Sequence, residues 1–162
     1  MILEKFKANV EIERKFLVIP PFPQLINGQK ITQAYIFVSD NKELRIRIVD
    51  NKCKMSIKIN LDKMLREEYQ YDISLEEGYR IIELGTERVP IVKIRYTINY
   101  KNMDWEIDFF EGENEGLVVA EIELNHLEQK FEKPSWAGEE VTCDQRYYNK
   151  NLYQNPYKYW NI

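Results

Sequence analysis

Several stretches of the chain alternate apolar and charged residues with a period of two, and this pattern restricts the possible folds more than any other feature of the sequence. A period of two is that of a β-strand, in which successive side chains point to opposite faces of a sheet. The eight stretches lie at about 9–18, 29–38, 43–49, 52–60, 66–73, 91–100, 103–111 and 117–124. Because the links between them are short, we expect a mainly β (α+β) fold built as an antiparallel sandwich or barrel.

The remaining segments carry signals for a few flanking helices. Ser74 and Glu77 form a capping box, in which each residue can bond a free backbone N–H of the other, and they predict a helix that runs to about Leu84. Asn125 predicts the start of a second helix, which ends before the next proline. Residues 144–152 predict a third helix, and the aromatic tail that follows predicts irregular structure.

The charged residues of the strands are sorted by sign as well as by face. Positions i and i+2 of a strand share a face, so each strand presents a small set of charges opposite its apolar residues. The basic sets are Arg45 with Arg47, Lys54 with Lys58, and Lys93 with Arg95, while the acidic sets are Glu106 with Asp108 and Glu121 with Glu123. Two strands mix the signs, with Glu11, Glu13 and Lys15 on one and Arg66 and Glu68 on another.

Two interpretations account for these faces. In the first, the strands are half-buried, with an apolar face in the core and a charged face in water. In the second, the charged faces line an interior tunnel and the apolar faces pack under helices outside. The near-pure charge sets favour the second, because solvated strand faces usually mix Thr, Ser and Gln with charges. Since an unpaired buried charge costs several kcal/mol, such a tunnel needs water, counter-charges or a ligand.

The composition excludes several functional classes. With 162 residues we expect one domain, 1–162, with a core at about 9–152. A net charge of −4 argues against a nucleic-acid binder, although it permits a local basic pocket. The sequence shows neither a signal peptide nor an apolar run of membrane-spanning length, so we expect a cytoplasmic protein without membrane contact. His126 is the only histidine and Cys53 and Cys143 lie far apart, which disfavours a catalytic triad or a His/Cys metal site.

The ordered series of charged motifs resembles the CYTH, or triphosphate tunnel metalloenzyme, superfamily. The first motif, Glu11-Ile-Glu13-Arg-Lys15, matches the ExExK signature of that family, which alone would be a weak signal. The motifs that follow in the same order are Gln33-Ala-Tyr35, Arg45-Ile-Arg47, Lys58, Arg66-Glu-Glu68-Tyr69, Lys93-Ile-Arg95-Tyr96, Glu106-Ile-Asp108 and Glu121-Ile-Glu123. Because the likeness covers about residues 9–152, it implies the family's eight-stranded antiparallel β-barrel tunnel with charged residues inside.

The resemblance also implies a role for each charged residue. The implied phosphate-binding residues are Lys15, Arg45, Arg47, Lys58, Arg66, Lys93 and Arg95, with Arg146 as a weaker candidate. The implied ligands of Mg²⁺ or Mn²⁺ are Glu11, Glu13, Asp108, Glu121 and Glu123, because hard ions prefer carboxylate oxygen. Glu11, Glu13, Lys15 and Arg47 are the implied catalytic residues, and Glu68 is expected to pair with Arg66 or Arg95 as a structural residue.

The implied activity is metal-dependent hydrolysis of a small-molecule triphosphate or polyphosphate, with inorganic tripolyphosphate as the leading substrate. The alternatives within the fold are a thiamine triphosphatase, a nucleoside triphosphatase and a class IV adenylate cyclase. The cyclase and the nucleotide hydrolase are disfavoured because no segment is clearly devoted to reading a purine. A non-catalytic polyphosphate-binding module is the alternative outside enzymes, and the intact acidic sets argue against it. An exposed barrel edge would allow a homodimer.

Overall fold

The computed structural model describes residues 12–60 and 66–160 and shows one antiparallel sheet with two α-helices in that part of the chain. The strands are β1 (Ile12–Val18), β2 (Gln29–Val38), β3 (Lys42–Val49), β4 (Lys52–Asn60), β5 (Arg66–Ile73), β6 (Ile91–Tyr100), β7 (Met103–Glu111), β8 (Val118–Leu124) and β9 (Ala137–Glu140). The helices are α1 (Leu75–Gly85) and α2 (Asn149–Gln154), and short 3-10 turns cover Gly112–Asn114, Gln145–Tyr147 and Tyr157–Tyr159. The predicted mainly β class is confirmed.

The strands follow the order β5-β4-β3-β2-β6-β7-β8-β1-β9 across the sheet. The described sheet therefore has nine strands where eight were predicted, and hydrogen bonds do not join its edge strands β5 and β9 into a closed barrel. The sheet is nevertheless strongly curled. Leu17 of β1 and Tyr35 of β2 pack in the same apolar cluster, although β6, β7 and β8 lie between their strands in the sheet.

The apolar strand faces pack on the outside of the curl, as the tunnel interpretation predicts. Ile46 and Ile48 of β3 are buried beneath α1, where Leu75 and Ile81 cover them. On the opposite side, Trp105 of β7 is fully buried and forms an edge-to-face contact with Trp136, with 5.4 Å between the ring centroids. The charged faces of the same strands are thereby directed to the inside.

The predicted capping box is present at the start of α1. The hydroxyl oxygen of Ser74 accepts a hydrogen bond from the backbone N–H of Glu77 at 3.1 Å. In return, the backbone N–H of Ser74 donates to the Glu77 carboxylate at 2.9 Å. These two bonds satisfy N–H groups that the first helical turn leaves free, so α1 begins where the sequence indicates.

The helix predicted at Asn125 is wrong, because residues 125–136 form turns and an irregular segment. The N–H of Asn125 donates to the side chain of Gln129 at 2.6 Å, so the expected capping arrangement is replaced by a local turn. Phe131 and Trp136 then pack against Trp105, which holds this segment across the outer face of β7. The segment leads into β9, a short edge strand that the alternation pattern did not reveal.

The helix predicted for residues 144–152 is divided into two parts. A 3-10 turn over Gln145–Tyr147 precedes α2, and Tyr148 between them is extended. The hydroxyl of Tyr148 donates to the backbone carbonyl of Thr142 at 3.1 Å, and its ring lies near the ammonium group of Lys15. The predicted helix is thus interrupted at Tyr148, the residue that makes these tertiary contacts. Neither α-helix in the described ranges has the length and apolarity needed to cross a bilayer.

Candidate active site

The inner faces of β1, β6, β7 and β8 carry a continuous group of ion pairs, here called the paired network. It comprises Lys15, Lys93, Arg95, Asp108 and Glu121. Lys93 Nζ lies 2.5 Å from Asp108 Oδ2, and Arg95 Nε lies 2.6 Å from Asp108 Oδ1. Glu121 accepts from Lys15 Nζ at 2.8 Å and from Arg95 Nη2 at 2.8 Å. Lys93 and Asp108 have 0 % of their surface exposed, so charged side chains form part of the interior.

The pKa values in this network reflect the competition between burial and pairing. Burial alone would lower the pKa of Lys15, but the charges of Glu121 and Glu13 outweigh it and raise that pKa. For Lys93 burial prevails over the attraction of Asp108, and its pKa is lowered to about 8. The pKa of Glu121 lies well below its usual value, because Lys15, Lys93 and Arg95 overcome the effect of its burial. The acids of the network are therefore ionised at neutral pH.

A second group of charges occupies the inner faces of β3, β4 and β5. Glu68 accepts from Arg45 at 3.2 Å and pairs with Lys58 at 3.2 Å, so one carboxylate holds two cations. Arg45 also donates to Ser56, while its Nε has no hydrogen-bond partner in the described part of the chain. Of the two partners expected for Glu68, Arg95 is wrong, because its carboxylate partners lie in β7 and β8, and the side chain of Arg66 lies outside the described residues.

Arg47 is bonded differently from the other interior cations. Its Nε donates to the side-chain oxygen of Gln33 at 2.9 Å, and Gln33 in turn donates to the hydroxyl of Tyr35 at 2.7 Å. Within the described residues, Arg47 forms no ion pair with a carboxylate. Burial, followed by repulsion from Arg45 and Arg95, lowers the pKa of Arg47 to about 10. A positive charge that lacks a counter-charge in the interior favours the binding of an anion.

The acidic residues at the β1–β8 boundary offer a place for a cation. Glu13 and Glu123 are directly opposite each other in the strand register, an arrangement that repels unless a cation lies between the carboxylates. The Glu13 carboxylate reaches Lys15 Nζ at 3.4 Å. The pKa of Glu13 is raised, first by the partial removal of its carboxylate from water and then by the charge of Glu121. Both effects make a further positive charge favourable at this position.

These residues fit a magnesium-type ion better than a closed metal cage. In residues 12–60 and 66–160, no three acidic, histidine or cysteine side chains are grouped so as to enclose a metal. Mg²⁺ commonly binds through one or two carboxylates and completes its octahedron with water and phosphate oxygens. Glu13 and Glu123 can supply those carboxylates. Both oxygens of Asp108 accept hydrogen bonds from Lys93 and Arg95, which leaves it less available as a ligand.

The structure brings together most of the residues that the sequence singled out. Those on the inner face and described with their side chains are Glu13, Lys15, Arg45, Arg47, Lys58, Glu68, Lys93, Arg95, Asp108, Glu121 and Glu123. Glu11 lies outside the described residues, and of Arg66 only the backbone pairing with Asn60 is described. Arg146 is 63 % exposed and bonds Asp144, with its guanidinium over the rings of Tyr147 and Trp160.

The sequence-based list omitted several neutral residues of the site. Gln33, Tyr35 and Ser56 are buried on the inner face beside the arginines of β3. Glu106 also received no site role from the sequence, although it forms an ion pair with Arg95. Spacing could have identified Gln33 and Tyr35, because they share one face of β2 and both carry polar groups amid apolar neighbours. Their strand partners in β3 are Arg47 and Arg45 respectively.

The chain is similar to a known family and to individual proteins of known name. The model of the CYTH domain matches residues 9–151 of this chain. The chain is 43% identical over 149 residues to an inorganic triphosphatase of Acetivibrio thermocellus, and the match covers 91% of this chain and 96% of that protein. It is 34% identical over 147 residues to an inorganic triphosphatase of Nitrosomonas europaea, covering 88% and 95% of the two chains.

A solved structure shows the same likeness in three dimensions. The crystal structure of an inorganic triphosphatase superposes with a TM-score of 0.68 and 32% sequence identity. The superposition covers 88% of this chain and 93% of the solved one. The similarity in sequence and in fold therefore extends over the strands that carry the inner-face charges.

Proposed function

The chain belongs to the CYTH domain family, and we propose that it is a metal-dependent triphosphatase that hydrolyses inorganic triphosphate. Relatives that cover almost its whole length are named inorganic triphosphatases. The products are orthophosphate and diphosphate, because water attacks the terminal phosphorus and the adjoining P–O–P bond breaks. We further propose that residues 1–162 act as a single domain.

One observation supports this proposal more than any other: in the interior, Arg47 pairs with no carboxylate among the residues that the structure describes, and further cations lie near it. Arg45 and Arg95 lie near enough to Arg47 to lower its pKa. Repulsion from Arg95 and Arg47 likewise contributes to the lowered pKa of Lys93. A triphosphate carries roughly four negative charges at neutral pH. Such an anion would remove this repulsion, while a neutral or cationic substrate would not.

Seven basic residues form the proposed phosphate-binding set: Lys15, Arg45, Arg47, Lys58, Arg66, Lys93 and Arg95. The planar guanidinium group can bind two phosphate oxygens at once, and lysine acts as a point charge. The carboxylates of Glu68, Asp108 and Glu121 hold several of these cations by hydrogen bonds before substrate arrives. The protein thus supplies positive charge in fixed positions, which is the main contribution a protein makes to phosphoryl transfer.

The proposed metal ligands are Glu13, Glu121 and Glu123, together with Glu11, whose side chain lies outside the described residues. Glu121 and Asp108, which both bond cations of the protein through their two oxygens, would each have to exchange a cation partner to reach a metal. Triphosphatases of this family are metal-dependent in general, and we propose Mg²⁺ or Mn²⁺. When bound, such an ion neutralises phosphate oxygens and supplies an ordered water.

The catalytic contributions of the chain itself follow from the positions of Lys15 and Arg47. The ammonium group of Lys15 is held between Glu121 and Glu13, beside the proposed metal ligands. It can therefore neutralise a phosphate oxygen close to the attacking water. Arg47 is bonded to protein only through its Nε in the described part of the chain, and its terminal nitrogens remain available for phosphate oxygens. Both groups would stabilise the charge that shifts onto oxygen as the terminal P–O bond breaks.

The test is phosphate release from a substrate panel in the presence of Mg²⁺ or Mn²⁺. The panel contains tripolyphosphate, ATP, thiamine triphosphate, diphosphate and long-chain polyphosphate. We expect metal-dependent cleavage of tripolyphosphate above the others, loss of activity with EDTA, and a fall of about a hundredfold or more in Arg47→Ala. Arg80→Ala is the matched control, because Arg80 is exposed on α1 and pairs only with Glu83 in the described structure. Full activity in Arg47→Ala, or preference for a nucleotide, would refute the proposal.

A further inference from the structure

Gln33 of β2 is a neutral amide that contacts an interior arginine. In an interior built of ion pairs, an acidic residue would be expected at that position. Gln33 has no exposed surface and lies between Arg47 and Tyr35. Its Oε1 accepts from Arg47 Nε at 2.9 Å, and its Nε2 donates to the hydroxyl oxygen of Tyr35 at 2.7 Å. A buried amide with both ends bonded is rigid, and it fixes the groups that it contacts.

The orientation of this amide follows from its two neighbours. Arginine has only donors, so the amide oxygen must face Arg47. The amide NH₂ group then faces the hydroxyl oxygen of Tyr35, which can accept. Tyr35 is itself held by its ring contact with Tyr153, with centroids 5.3 Å apart. A connected series of contacts from α2 through Tyr35 and Gln33 therefore fixes the Nε edge of Arg47.

Comparison with the other interior cations shows why the amide matters. Each of Lys15, Arg45, Lys58, Lys93 and Arg95 has a carboxylate oxygen within 3.2 Å. Among the inner-face cations whose side chains the structure describes, Arg47 differs in being held by a neutral acceptor. A glutamate at position 33 would have nearly the same shape and would hold Arg47 equally well. It would also neutralise the charge that an incoming anion requires.

We propose that Gln33 is a positioning residue that orients Arg47 toward the phosphate chain while leaving its positive charge uncompensated. This inference rests on the proposed function. It identifies Gln33 as a residue that maintains the affinity of the site for anions. Gln33 acts through Arg47 rather than on the substrate. The terminal nitrogens of Arg47, which bond no described protein group, thereby remain directed at the interior for paired bonds to phosphate oxygens.

The experiment compares Gln33→Glu and Gln33→Met with the unaltered protein. Binding of tripolyphosphate is measured by calorimetry in EDTA, and kcat and KM are measured with Mg²⁺. In Gln33→Glu we expect the Kd and KM to rise by about tenfold or more. The reason is that the new carboxylate offsets the charge of Arg47 and weakens the hydrogen bonds from Arg47 to phosphate oxygens. The thermal midpoint without ligand should not fall, because the new carboxylate pairs with Arg47. Gln33→Met should lower kcat/KM as well, because it no longer orients the guanidinium.

A second readout separates charge from shape. The slope of log Kd against log salt should be smaller in Gln33→Glu than in the unaltered protein, because the site presents one positive charge less. A purely structural role would not change that slope. Gln154→Glu is the matched control, since Gln154 is an exposed residue of α2 and does not belong to the inner face of the sheet. It adds the same charge away from Arg47 and should alter the Kd far less.

The outcomes distinguish this inference from the proposed function. Cleavage of tripolyphosphate by the unaltered protein, combined with unchanged Kd, KM and salt slope in Gln33→Glu, would overturn the role of Gln33 alone. An unaltered protein that neither binds nor cleaves tripolyphosphate would overturn both. If Gln33→Glu does not fold, Gln33→Met decides the question, because an unchanged kcat/KM in that variant is incompatible with positioning of Arg47.

Discussion

At the scale of single residues, the interior replaces the hydration of its charges by ion pairs and hydrogen bonds. Lys93 and Asp108 have no exposed surface, and Asp108 is bonded by Arg95 as well. Each partner is tolerable in the interior only because the other is present. The pairing therefore has a consequence for stability that is separate from any role in catalysis.

Removal of the Asp108 carboxylate should destabilise the protein without any ligand. In Asp108→Ala, Lys93 remains buried without its partner and Arg95 loses two bonds, so the free energy of unfolding should fall by about 3–5 kcal/mol. The measurement is urea unfolding in EDTA, with Asp104→Ala as the control because Asp104 is exposed and bonds Asn99. A loss of stability that appears only when metal is present would instead make Asp108 chiefly a metal ligand.

At the scale of elements, the sequence signals succeed where local structure satisfies its own hydrogen bonds. The capping box at Ser74 and Glu77 lies at the start of α1, as the spacing predicts. The signal at Asn125 fails, since its N–H is bonded by the side chain of Gln129 in a turn. β9 has only four residues, Ala137–Glu140, which is too short a segment to display alternation. Local periodicity thus identified the longer strands and α1 but not the segments fixed by tertiary contacts.

The capping box predicts a specific dependence of stability on pH. Hydrogen bonds from Ser74, first from its side chain and then from its backbone, lower the pKa of Glu77 below its usual 4.5. The ionised carboxylate therefore stabilises the fold above the unfolded pKa, and that contribution is lost as the pH falls through the folded value. Ser74→Ala should cost about 1 kcal/mol at neutral pH. Comparison of Glu77→Gln with the unaltered protein by urea unfolding should show a difference that shrinks below about pH 4.5.

Glu76→Gln is the control for this measurement, because Glu76 is exposed in the same helical turn but takes no part in the capping box. It should show a smaller change with pH. A difference between Glu77→Gln and the unaltered protein that stays constant from about pH 7 to about pH 3.5 would contradict the role given to the ionised carboxylate.

At the scale of the whole molecule, two groups of charges lie on different parts of one curled sheet. The paired network is built on β1, β6, β7 and β8, whereas Arg45, Lys58 and Glu68 belong to β3–β5. β2 lies between these two parts of the sheet and carries Gln33, which holds Arg47 of β3. The hydrogen bonds of the sheet do not join its two edges. A phosphate chain that contacts both groups of charges would therefore connect the two parts of the sheet across the interior.

This arrangement predicts that tripolyphosphate stabilises the whole sheet. In EDTA, ligand at about a hundred times its Kd should raise the free energy of unfolding by about 2.7 kcal/mol. Hydrogen exchange should slow in β4 and β5 as well as in β6–β8, because the ligand restrains both groups. Arg47→Ala should reduce the effect in both regions. Protection confined to one group of strands would show that the anion does not bridge them.

The residues that line the site could largely be predicted, because side chains alternate between the two faces of a strand and each charged residue is thereby assigned to one face. Lys15, Lys93 and Glu121 are brought together as that rule predicts. The rule says nothing about partners, since pairing depends on register between strands distant in sequence. For this reason Glu68 was expected to pair with Arg66 or Arg95, whereas its described ion pairs are with Arg45 and Lys58. Gln33 was recognised within a strand motif but was given no role, because it carries no charge.

The position of β1 in the sheet has a consequence for the synthesis of the protein. Both neighbours of β1, namely β8 and β9, come from residues 118–140, more than a hundred positions later in the chain. Lys15 thus emerges from the ribosome long before Glu121, the carboxylate that will pair with it. Until those residues are available, β1 has no described strand to pair with and the anion site lacks one wall. Pairing between such distant segments is intrinsically slow, and β1 stays without its described strand partners for most of the synthesis of the chain.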